Sequence, residues 1–90
     1  MKATKPTTLS DIDSLAGLRE ELRLQAHLLK AEVQDRWHDA EARWAAIQEE
    51  ARSIRTAVDH SRAELSAAAS LSAQSLRETY EDLRKVLRSL

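Results

Sequence analysis

The sequence predicts an all-α fold in which a long amphipathic helix forms a coiled coil, and three observations carry that expectation. Ala, Glu, Lys, Leu and Arg make up 51 of the 90 residues, a composition typical of long helices and poor in strand formers. Gly17 and Pro6 are the only residues of their kinds, and both lie near the start, so nothing further along the chain forces a helix to break. The third observation is a ladder of apolar residues that holds helical phase to the last residue.

Residues 1–9 are polar and contain the single proline, so a disordered tail is expected there. A helix start follows at Thr8 or Ser10. Thr8-x-x-Asp11 and Ser10-x-x-Asp13 each offer a hydroxyl to an orphan backbone N–H, and the acids suit the positive helix end. The remaining residues, 10–90, form one helical domain.

The ladder begins at Leu15, Leu18, Leu22, Ala26, Leu29, Val33, Trp37, Ala40 and Trp44 in steps of 3-4-4, an eleven-residue period. It continues through Ile47, Ala51, Ile54 and Val58 as a heptad repeat, and then through Ser61, Leu65, Ala69, Ser72, Leu76, Tyr80, Leu83, Leu87 and Leu90. An eleven-residue period keeps a helix nearly straight, and a heptad adds left-handed supercoil. Twenty of the twenty-two rungs are apolar, so the phase predicts one uninterrupted helix of nearly 80 residues, about 120 Å long. The alternative is a two-helix hairpin, dimerising to a four-helix bundle. Its bend falls within residues 59–75, where Ser-rich sequence and the cap-like Ser61-x-x-Glu64 and Ser75-x-x-Glu78 weaken the ladder.

A rod of this kind exposes sixteen large apolar rungs, more than a soluble monomer tolerates, and a short chain gains stability by associating. A homo-oligomer, with the dimer as its expected state, therefore follows. Its seam comprises Leu15, Leu18, Leu22, Leu29, Val33, Trp37, Trp44, Ile47, Ile54, Val58, Leu65, Leu76, Tyr80, Leu83 and Leu87. Trp37 and Trp44 read as core knobs one heptad apart. Leu24 and Leu28 form a second stripe that widens the buried face. Away from the seam, Glu32/Arg36, Asp39/Arg43 and Glu81/Lys85 are i,i+4 pairs on a solvated face.

Charge and chemistry exclude more than they assign. Fourteen basic residues against fifteen acidic ones leave no surplus to neutralise phosphates, so nucleic acid is not an expected partner. The absence of cysteine removes disulfides and thiolate metal sites. His27 and His38 would stand about 16 Å apart on one helix, too far to share a metal. Asp35-x-x-His38 and His60-x-x-x-Glu64 have helical ligand spacing, but the seam supplies no carboxylate to complete a site. No catalytic set, cofactor or metal is expected, and neither a signal peptide nor a bilayer span is read. A soluble cytoplasmic protein follows.

The stretch from Gly17 to Trp44, with the closing Tyr80-Glu-Asp-Leu-Arg-Lys-Val-Leu, resembles small bacterial coiled-coil proteins of unknown function, and the resemblance carries over no functional residues. The eleven-residue spacing is also similar to that of apolipoprotein-type surface helices. Two functions are therefore expected in competition. The first is a non-enzymatic, self-associating interaction or scaffold module, which could also take another helical protein. The second is an amphipathic helix that lays Trp37, Trp44 and the leucines on a lipid or polymer-granule surface.

Overall fold

The computed structural model describes residues 8–90 and contains three α-helices: α1 (Thr8–Arg23), α2 (Ala31–Thr56) and α3 (Asp59–Arg88). A short 3₁₀ turn, Ala26–Leu28, lies between α1 and α2. The fold is all-α, with no strand among the described residues. The continuous rod is not what forms. The molecule measures 45 × 28 × 17 Å, far short of the rod's length. The tail expected over residues 1–9 gives up Thr8 and Leu9 to α1, and the rest of it lies outside the described residues.

Neither break needs glycine or proline. Between α2 and α3, Ala57 and Val58 both take extended backbone (ψ 150° and 157°), a conformation that suits β-branched Val58. The N–H groups of Ser61 and Arg62 then donate to the Val58 carbonyl, and the Arg62 guanidinium donates to the carbonyl of Ala57 at 3.2 Å. The turn falls just before the 59–75 zone. Ser61 and Ser75 lie inside α3, so neither starts a helix. The first break was not foreseen. After Arg23 the chain tightens into the 3₁₀ turn and runs extended at Leu29 and Lys30, and the Gln34 side-chain amide donates to the Leu29 carbonyl at 3.0 Å. Leu-Gln-Ala-His-Leu-Leu is a good helical sequence, so tertiary burial overrides local propensity here.

Cross-helix pairs fix the directions. Arg77 donates to the Ser14 hydroxyl across 63 residues, and Arg84 pairs with Glu21 at the same separation, so α1 and α3 are parallel. Arg36 faces Asp82 while Arg43 faces Thr79 and Ser75, so α2 and α3 are antiparallel. The result is an up-down-up bundle. With that offset, the sixteen residues of α1 lie beside residues 71–86 of α3. Beyond them α2 and α3 continue as a two-helix tip, where Ile54 and Ala69 are buried outside the main core cluster.

The core uses the ladder, but within one chain. Leu15, Leu18, Leu22, Leu29, Trp37, Trp44, Ile47, Ile54, Leu76, Tyr80 and Leu83 are all buried. Val33, Leu65 and Leu87 are half-buried, and Val58 is exposed at the turn. The apolar stripe expected to pair one rod with another instead packs three helices of the same molecule. Burial that a rod could obtain only from a second chain is reached here by folding back. Leu24 and Leu28, expected to widen the buried face, are 69% and 52% exposed, because the 3₁₀ turn rotates them outward while Ala26 and Leu29 stay inside.

Candidate interaction surface

Two kinds of polar detail separate the core from the surface. At the centre, the Trp37 and Tyr80 rings meet at 6.1 Å between centroids, tilted by 38°. The Tyr80 hydroxyl is buried and has no hydrogen-bond partner among the described residues. Burial, and secondarily the nearby Glu41 charge, push its phenol up to about 12, because neither can accommodate a phenolate. Arg19 on α1 grips Glu41 on α2 through two hydrogen bonds of 2.7 and 2.8 Å. That fork-on-fork geometry is the stronger form of ion pair, and it holds the Arg19 guanidinium above its ordinary pKa. On the surface, Glu20 and Arg23 pair within α1, and that hydrogen bond lowers the Glu20 carboxyl.

The histidines and acids singled out by spacing do not converge. His27, Asp35 and His38 are exposed, and the His60 side chain lies outside the described residues. Among the described residues no three His, Cys, Asp or Glu side chains come together. Trp37 and Trp44 are each 7% exposed, so in this fold they are core residues and cannot also form a lipid-facing stripe. No helix among the described residues is long and apolar enough to cross a membrane.

Surface concavities lie in the grooves between helices. The α1/α2 groove is lined by Ile12, Ala16, Trp44, Ala45, Gln48 and Arg52 among others. The α2/α3 groove, of about 370 Å³, is lined by Arg43, Ala46, Ile47 and Glu50 from α2 and by Leu71, Ser72 and Ser75 from α3. Here the four α2 residues follow i, i+3, i+4, i+7 spacing and so occupy one helix face. Across the groove stands Leu71, 69% exposed. Its neighbours Ala67 and Ala68 are also exposed, as is Ala46 opposite.

The chain matches no family model, no curated protein and no solved structure. Sequence reasoning missed Ile12, Ala73 and the whole α2/α3 groove. Ile12 was findable, since it stands three residues before Leu15 and extends the ladder backwards. Ala73 displaced Ser72 from the core when α3 acquired two neighbours, and a ladder drawn for a single seam has no place for it.

Proposed function

We propose that this protein is a non-enzymatic, self-associating helical interaction module acting in the cytoplasm. The observation that carries this reading is Leu71, a large apolar side chain left 69% exposed beside the groove between α2 and α3. Single exposed leucines are ordinary. This one stands among exposed alanines, which let another helix approach closely. The two-helix layer of α2 and α3 leaves its far side without the cover that α1 gives the near side. Three helices with an open groove between two of them can accept a fourth, as in helical bundles generally.

The reading keeps the expectation of self-association but moves its location from the apolar ladder to the outer face. The lipid- or granule-surface alternative needed the ladder as its binding face, and the fold buries that face. Light scattering across a concentration series tests the proposal. A mass above 10.2 kDa at tens of micromolar is expected, and a monomer throughout would refute it.

A further inference from the structure

We propose that the α2/α3 groove is a two-fold interface that takes a second copy of this same chain, with the axis passing between Ala46 and Ile47. The inference rests on the self-association reading and adds the surface, the symmetry and the contacts. Its basis is the order of charge along one helix face. Arg43 stands at one end of the groove and Glu50 at the other, seven residues and about 10 Å apart along α2. Glu50 makes no ion pair with a described residue. Arg43 is held by the Ser75 hydroxyl at 2.7 Å and the Thr79 hydroxyl at 3.0 Å, with Asp39 more distant at 3.9 Å. Two hydroxyls therefore aim the guanidinium while leaving some of its five N–H donors unclaimed.

A positive end and a negative end match the same face turned through 180°. When α2 meets α2 of the second copy antiparallel, Arg43 of each chain reaches Glu50 of the other, and the interface contains two equivalent ion pairs. This is the isologous arrangement of a two-fold dimer, in which residue i meets j and j meets i. Between the pairs the surface is small and apolar. Ala46 sits nearest the axis and allows close helix approach, and Leu71 flanks it as a knob for the partner's groove. With that axis α2 overlaps its copy over residues 37–56, about 30 Å, so a face two helices wide offers on the order of 600 Å², toward the lower end of specific interfaces. Either parallel pairing of α2 with itself or a uniformly charged partner would leave like charges opposed or one end unmatched.

The chain contains no cysteine, so one introduced thiol can form a disulfide only with another copy. Ala46→Cys near the axis is expected to oxidise to a disulfide dimer at least tenfold faster than Ala45→Cys, which faces the α1/α2 groove. Charge swaps supply an independent readout. Arg43→Glu and Glu50→Arg should each weaken self-association at least tenfold, and an equimolar mixture of the two should recover it, since the mixed pair restores both ion pairs. Circular dichroism verifies that both variants are folded, and Glu50→Lys mixed with Arg43→Asp repeats the test if either is not. A wild-type oligomer with equal disulfide rates at positions 45 and 46, or with no recovery on mixing, would overturn this interface while sparing self-association. A wild-type monomer at all concentrations would overturn both.

Discussion

Trp37 and Tyr80, 43 residues apart in sequence, hold their rings 6.1 Å apart at the centre of the bundle. A single contact of this kind excludes a straight helix through both residues, because the rod separates them by about 65 Å. Spin labels at Arg36 and Arg84, diluted with unlabelled protein, should therefore report less than about 25 Å, since packed helices lie roughly 8–10 Å apart. A rod would give about 72 Å.

Leu22 and Leu24 separate core from surface within two residues. Leu22 is 2% exposed and Leu24 is 69% exposed. Leu22→Ala should cost about 2–5 kcal/mol, and Leu24→Ala should stay within about 0.5 kcal/mol. Urea denaturation of the two variants measures the difference.

The phenol of Tyr80 makes stability fall at high pH. Its pKa in the folded state is raised to about 12, above an unfolded value of about 10. The folded state therefore disfavours the phenolate. The contribution is fully present below pH ~10 and is lost as pH rises through the folded value. Because the chain has one tyrosine, its ultraviolet titration reports this group alone. Tyr80→Phe should be neutral or stabilising by about 1 kcal/mol at pH 7, since the buried hydroxyl has no partner among the described residues, and should lack the extra loss of stability above pH ~10.

Gly17 lies inside α1 with open space where a Cβ would stand and without positive φ. Gly17→Ala should raise stability by roughly 0.5–1 kcal/mol through a lower helix-forming cost. An unchanged or lower melting temperature would contradict the placement of this residue on a free helix surface.

Trp44→Asp should unfold the chain rather than merely separate copies. The indole is buried against the main core, and losing it costs about 3–5 kcal/mol before the charge is considered. Much of the stability of a small domain would be gone. Far-ultraviolet circular dichroism should show the loss of helix, whereas a folded monomer would place Trp44 at an interface between chains.

The apolar rungs were legible because each helix must present one face to the core, whatever the topology. Ile47, Leu76 and Leu83 belong inside in a rod, a hairpin or a bundle alike. Topology was less legible. The ladder runs in phase through Val58 and Ser61, yet the chain turns there, because each helix needs only its own internal period and two extended residues can join any pair. The turn at Leu24–Lys30 leaves no signature in residue types, since helix formers line it and only long-range burial decides it. The α2/α3 groove was illegible for a different reason. Arg43 reads as an i,i+4 partner of Asp39, and its hydroxyl anchors arrive from α3, 32 and 36 residues away.

The unequal reach of the contacts sets an order of events. α2 and α3 meet across a two-residue gap, so their hairpin closes at little entropic cost, while α1 reaches its partners over longer loops, 22 residues to Glu41 on α2 and 63 to α3, and is expected to dock last. By the same asymmetry α1 is the segment that detaches most easily. Amide hydrogens of Thr8–Arg23 should exchange through this partial opening, while those of Trp37 and Tyr80 wait for global unfolding. The bundle thus behaves as a hairpin with a clasp.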